Sequence, residues 1–290
     1  MKDRLVRGLL PGAGARVVFA RVGDTARMSR VLHGLYPTAA HLFAEGLAAG
    51  LLLAALQKDR ARVNLQVQSD GPVGGIFVDA RPDGEVRGYV RGASVHFPGD
   101  PRLGARAALG GAGYLSVIRD QGDGQFYRGS VELEAMEIAA DLRRYFAESE
   151  QVDTAVDLQV VRRGDEPLGD VGGLLVQKLP DGDASAVQRV RERLAGGALA
   201  AALAASASAQ EVIRAAAGEG FDLLADQEVA YVCGCSQDRA RSAVAVLGAE
   251  GVAEILSSEG QAVVTCEFCR QRYVVGEREL REIQSRLAAG

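Results

Sequence analysis

Four cysteines, all within 37 residues, carry the clearest chemistry in this chain: Cys233-Gly-Cys235, thirty intervening residues, then Cys266-Glu-Phe-Cys269. The chain has no other thiol. Zinc favours tetrahedral thiolate coordination, and short cysteine pairs on tight turns supply two ligands each. The surrounding segment is small and poor in large apolar residues, so metal binding could supply its folding free energy. The expectation is one Zn2+ per chain, held by Cys233, Cys235, Cys266 and Cys269. Isolated cysteines can simply act as small core hydrophobes, but pairing at both ends argues against that here. Resting disulfides are the other alternative, and a reducing cytosol opposes them.

Zinc ribbons are often mere staples, yet two features suggest more. Ribbons normally use Cys-x-x-Cys twice, whereas the first pair here is Cys-x-Cys. Arg239, Arg241, Arg270 and Arg272 also lie near the thiols in sequence, and positive charge favours the reactive thiolate. A dithiol oxidoreductase could use Cys266-Glu-Phe-Cys269, although such enzymes place the pair at a helix start after a strand, without two extra thiols. A nucleic-acid-binding ribbon would want basic charge; residues 231–290 hold seven arginines against eight acids, a net of −1 before thiolates.

Other candidate sites are weaker. Gly12-Ala13-Gly14 and Gly110-Gly111-Ala112-Gly113 match neither a P-loop nor a complete dinucleotide fingerprint and read as turns. His33, His41 and His96 are far from the cysteines in sequence and receive no metal or catalytic role. No Gly-x-Ser-x-Gly elbow or paired metalloprotease histidines occur, so a hydrolase has no visible site.

The elements that must position the cysteines follow from periodicity. Gln227–Val232 reads as a strand delivering the first pair. Ser236 can cap a helix with Ala240, Val244 and Leu247 on one face, ended by Gly248; a short helix around Val252–Leu256 follows. Val263 and Val264, then Tyr273–Val275, flank the second pair as hairpin arms, and Leu280, Ile283 and Leu287 align on a last helix.

Upstream, Pro37 suits a helix N1 position, and the nearly continuous apolar run from Leu42 to Leu56 predicts a buried central helix. Val63, Leu65 and Val67 alternate with polar residues before a turn at Asp70-Gly71-Pro72. Further strands are predicted at Ile76–Val78, Val86–Val90, Tyr114–Ile118, Phe126–Leu133, Val156–Val160 and Leu174–Leu179, with a helix carrying Ile138, Leu142, Tyr145 and Phe146. Strands in runs with helices set apart indicate α+β rather than βαβ repeats. After Pro180 the character changes. Asp183 can cap a helix bearing Val187, Val190 and Leu194, and an alanine-rich run extends from Ala198 to Ala209. Alanine favours helix but buries little area. The predicted organisation is an N-terminal sheet-and-helix core (1–180), a marginally stable helical linker (181–230) and a C-terminal zinc-binding α+β module (231–290).

The bulk numbers fit a soluble globular chain: 290 residues, 48% apolar and 24% charged, with a net charge of −5 that disfavours nucleic acid as a partner. Almost all basic residues are arginine; Lys2, Lys58 and Lys178 are the only lysines. No secretory signal is evident, and the longest apolar stretch falls short of the roughly 18 residues a membrane span needs. A cytoplasmic protein with no membrane partner is expected, its thiols reduced at rest.

Cys-x-Cys-Ser, about thirty residues, then Cys-x-x-Cys near the C-terminus resembles the 33 kDa chaperonin family, the redox-regulated heat-shock holdases. Five further segments are similar to that family: Leu65–Pro72, Gly113–Val117, Tyr127–Val131, Tyr145-Phe146 through Ser149-Glu150-Gln151, and Gly172–Gln177. The resemblance spans residues 35 to 285 or so. It implies a quiescent, zinc-bound reduced state. Oxidation would form the Cys233–Cys235 and Cys266–Cys269 disulfides, release zinc, unfold the C-terminal module and linker, and expose apolar surface for unfolding client proteins. It also implies a homodimer in the oxidised, active state, and a holdase rather than an enzyme. The alternatives left open by the residues are a dithiol oxidoreductase and a constitutive zinc-stapled binding protein.

Overall fold

The chain opens on a hairpin that the sequence pattern did not announce, β1 (Arg4–Leu10) and β2 (Ala15–Arg21). Both strands are buried on two faces, so neither shows the polar alternation of a half-exposed strand. Helices α1 (Gly23–His33) and α2 (Pro37–Ala54) follow, with Pro37 opening α2 as expected. Three strands come next, β3 (Arg62–Ser69), β4 (Gly75–Ala80) and β5 (Glu85–Val90). Then come α3 (Pro101–Leu109), β6 (Gly113–Asp120), β7 (Phe126–Glu132), α4 (Ile138–Glu148), β8 (Thr154–Arg163) and β9 (Glu166–Lys178). The computed structural model describes residues 2–58, 61–122, 124–218 and 220–289.

Helices α5 (Ala184–Ala195), α6 (Ala198–Ala204) and α7 (Ala209–Ala217) occupy most of the interval expected as a linker. The Asp183 carboxylate caps α5, accepting from Ser185 N at 2.8 Å. The interval ends in strand rather than helix: β10 (Asp222–Glu228) and the two-residue β11 (Ala230–Tyr231). The strand expected at Gln227–Val232 is thus divided near Val229, where the chain leaves one sheet for another.

The protein divides into two units, Met1–Val232 and Cys233–Gly290. In the first, a five-stranded antiparallel sheet has the order β10-β1-β2-β9-β8, and a six-stranded sheet the order β11-β5-β4-β3-β6-β7, with only β11 parallel to its neighbour. Helix α2 belongs to the core shared by both sheets, and seventeen of its 18 residues are buried. By length and composition it could cross a bilayer, but 89% of that window is buried within the protein, as in a core helix. It approaches β4 closely: a Cβ on Gly50 would lie 2.6 Å from Val78.

The five-stranded sheet splits its side chains between two cores. Leu5, Val18, Ala20 and Leu175 join the α2 core, whereas Val6, Val17, Phe19, Leu174 and Val176 face the α5–α7 side. Alanine richness suggested weak docking of this helical interval. Leu199 and Leu203, one helical turn apart on α6, are both fully buried, while Ala201, Ala204 and Ala205 face solvent. Val212 and Ile213 of α7 join the same core, so a few large residues seat the segment.

The second unit comprises α8 (Gln237–Ala245), α9 (Gly248–Ser258), the hairpin β12 (Ala262–Thr265) and β13 (Arg272–Val275), and α10 (Glu277–Ala289). Its core is seven side chains: Ala240, Val244, Val252, Ala262, Val275, Leu280 and Ile283. Leu247 and Leu287, expected in the apolar stripes, are 56% and 38% exposed, because α8 ends at Ala245 and Leu287 lies beyond the last packed turn of α10.

Candidate metal centre

The first cysteine pair lies between Val232 and the start of α8, and the second on the turn joining β12 to β13. Ser236 caps α8 as its sequence predicts, its Oγ accepting from Arg239 N. This fixes the chain directly after Cys235. At the second pair, Arg270 N donates to Cys266 O at 2.8 Å, and Cys266 N donates to Gln271 O at 2.9 Å. The turn closes because Arg270 adopts a left-handed backbone, φ 58°.

The four sulfurs all lie within 4.8 Å of one another, and each cysteine is half-buried. Sulfurs of different pairs approach one another closely: Cys233 to Cys266 at 3.7 Å and Cys235 to Cys269 at 3.2 Å. All four cysteines are free thiols. A tetrahedral ion with metal–sulfur bonds of about 2.3 Å needs sulfurs about 3.8 Å apart, so the arrangement fits one metal ion. Burial, and then hydrogen bonding among the four sulfurs, pushes the Cys269 thiol up to about 12. A cation among them would let all four ionise at neutral pH.

Supporting groups surround the sulfurs that the sequence did not mark. Tyr273 Oη donates to Cys235 Sγ at 3.0 Å. That bond pushes the phenol up to about 12, keeping it a donor at neutral pH. Gln237 Nε2 donates to Val274 O at 2.8 Å and to Glu279 at 3.2 Å, and Gly276 N donates to Glu279 Oε2 at 3.1 Å. The Gln237 bond, then the Gly276 N–H, holds the Glu279 carboxyl below its usual range. Helices α8 and α10 and the end of β13 are thereby tied together around the centre. Tyr273 could have been suspected from its place four residues after Cys269; Glu279 has no local signal. Of the four arginines singled out by sequence, Arg241 pairs with Glu279 and Glu282, and Arg270 with Glu267, so carboxylates meet the charge of these two.

The remaining candidates have structural explanations. Asp70 Oδ1 accepts from Gly111 N and Ala112 N, so a carboxylate of this chain fills the glycine-rich turn. Gly14 ends a single 3-10 turn between β1 and β2. His33 and His41 are buried and His96 is exposed, all in the first unit.

Residues 3–276 match the model of the Hsp33 protein family. The 33 kDa chaperonin of Geobacter sulfurreducens is 36% identical over 92% of this chain and 89% of its own length. That of Geobacillus kaustophilus is 31% identical over 98% of each chain. The crystal structure of the 33 kDa chaperonin from Thermotoga maritima superposes with a TM-score of 0.86, at 26% identity and full coverage of both chains.

Proposed function

The chain belongs to the Hsp33 protein family, and on that premise we propose that it is a heat-shock holdase held quiescent by its cysteine centre and activated by oxidation. One observation carries the reading: four sulfurs converge in a unit where only seven apolar side chains are buried among the described residues. So small a core gives limited hydrophobic stabilisation, and cross-linking by sulfur would supply much of the order it lacks. Zinc, when bound by Cys233, Cys235, Cys266 and Cys269, would supply that cross-link and keep the sulfurs as thiolates.

Oxidation removes the ligands. Each cysteine pair gives up two electrons to a peroxide-type oxidant, which is reduced to water, and a Cys233–Cys235 or Cys266–Cys269 disulfide forms. Disulfide sulfurs are poor ligands, so the second unit loses its cross-link and unfolds. Residues 181–230 are the segment through which this acts, between a core of residues 1–180 and a switch of residues 231–290. Their helices share a core with Val6, Val17, Phe19, Leu174 and Val176. Loosening that segment would uncover an apolar sheet face for unfolding client proteins, bound by mass action without turnover. A homodimer in the oxidised state and a cytoplasmic location complete the proposal.

The test is light scattering from an aggregating client on one sample, reduced, then oxidised under mild heat, then re-reduced. Protection should rise with zinc release and fall again on reduction. Full protection in the reduced, metal-loaded state would leave a constitutive zinc-stapled binding protein. Catalytic reduction of small disulfides would indicate the oxidoreductase.

A further inference from the structure

The residues leading into the metal centre, 222–232, border both sheets of the first unit, β10 along β1 and β11 along β5. Most of their side chains face solvent: Leu223, Leu224 and Val232 are 47%, 64% and 41% exposed. Val229 packs partly against the α2 core, and the ion pairs of Glu228 with Lys2 and Asp226 with Arg4 are solvent-facing. Tyr231 differs. The parallel ladder of β11 ends where Val232 N donates to Val86 O at 3.0 Å. Two residues further along β5, Gly88 presents its N–H and C=O to the Tyr231 hydroxyl instead of to a backbone. Gly88 N donates to Tyr231 Oη at 3.3 Å, and Tyr231 Oη donates to Gly88 O at 2.8 Å.

His33 Nε2 lies 3.1 Å from the same oxygen. A phenol has one donor and two acceptor positions, and all three are used when His33 carries a proton on Nε2. His33 is buried near the C-terminal end of α1, with its ring edge-on to Phe43 at 5.9 Å. A side chain at position 88 would collide with its surroundings, since a Cβ there would lie 2.5 Å from Phe77 O and 2.8 Å from the Phe43 ring.

We infer that the Tyr231–Gly88–His33 node is a release latch, which fastens the chain two residues before Cys233 and sets how readily loss of the metal centre spreads into β10 and the helices before it. The latch rests on the redox reading above and adds its control point. While Cys233 and Cys235 are ligated, residues 231–232 are restrained from both sides. Once the second unit is unfolded, the two-residue ladder, this node and the partial packing of Val229 are left to resist fraying of β11, and fraying is the first step toward detaching the segment.

The experiment is hydrogen exchange on the reduced, metal-loaded full chain, comparing wild type with Tyr231→Phe, which keeps the ring and removes the hydroxyl. Exchange across residues 222–232 should accelerate by about fivefold, while residues 38–54 and 233–289 are unchanged. His33→Leu should have a similar effect, and the double variant should add less than about twofold to either, because both break one node. At a fixed peroxide dose, Tyr231→Phe should release zinc at the wild-type rate yet reach client protection about threefold sooner. Exchange within twofold of wild type in both single variants would overturn the latch. Faster exchange without earlier protection would overturn its role as the control point. If the oxidised wild type shows no protection, the redox reading itself fails, and the exchange data alone decide whether Tyr231 fastens β11.

Discussion

A single helix of the first unit buries more residues than the whole apolar core of the second. Helix α2 hides seventeen, whereas α8, α9, α10 and the β12–β13 hairpin together hide seven apolar side chains. The two regions therefore stay folded for different reasons. The first removes apolar area from water on a scale that stabilises a domain outright. The second gathers four sulfurs and a ring of hydrogen bonds through Gln237, Glu279 and Tyr273, and under the proposed function its order depends on the state of those sulfurs. Under that proposal the second unit is a sensor that can fail without taking the first unit with it.

Removing the metal should test that difference most severely. Structural zinc in small thiolate domains contributes about 10–16 kcal/mol of apparent folding free energy at neutral pH. Chelation, or Cys269→Ser, should abolish exchange protection across residues 233–289 while the α2 core keeps its wild-type melting temperature. Retained protection in the second unit would mean that its apolar core suffices, and the comparison would break.

A smaller but still large effect is expected at α6. Leu203 is fully buried between α6 and the five-stranded sheet. Leu203→Ala should cost about 2–5 kcal/mol, from lost transfer energy and a residual cavity. Because that loss falls on the segment covering the sheet face, dye binding and client protection should appear without oxidant. Leu287→Ala, at a position already 38% exposed, should change neither. Equal effects from the two would erase the distinction between the regions.

Gly8→Ala sharpens the picture further. The Phe221 ring lies directly against Gly8, at the irregularity where β10 pairs with β1. A methyl group there must displace the ring, an overpacking cost of about 1–3 kcal/mol borne mainly by β10. Exchange should rise across residues 221–228 and not in α2. An unchanged β10 would show that its backbone ladder alone holds the strand.

What could be read from the sequence was local. The Val63–Val67 alternation, the Asp70-Gly71-Pro72 turn, the Asp183 and Ser236 caps and the cysteine spacing each depend on residues a few positions apart. What escaped was non-local. β1 buries both faces, so it lacks a period of two, and β10 is a polar, exposed edge whose partner lies more than 200 residues earlier in the chain. Leu199 and Leu203 were masked by the alanines around them. Tyr273 on Cys235, Glu279 beneath Gln237 and His33 on Tyr231 depend on pairs that only the folded chain brings together.

The smallest expected effect uses one backbone conformation found in both regions. Arg270 beside the second cysteine pair and Met136 in the first unit both have left-handed backbones, with φ of 58° and 51°. A non-glycine residue pays roughly 1–2 kcal/mol for such geometry, and glycine removes that strain while adding about 0.5–1 kcal/mol of unfolded-chain entropy. At Arg270 the side chain contributes only an exposed pair with Glu267. Arg270→Gly should therefore be neutral or stabilise the second unit by about 0.5 kcal/mol. Met136 is 5% exposed and packs in the α2 core, so Met136→Gly forfeits a buried side chain and should cost about 2–5 kcal/mol despite the same relief of strain. Thermal melts of the metal-loaded variants read both. Destabilisation of the second unit by Arg270→Gly beyond about 1 kcal/mol would show that the arginine itself supports the cysteine turn, and that the second unit relies on more than its sulfurs.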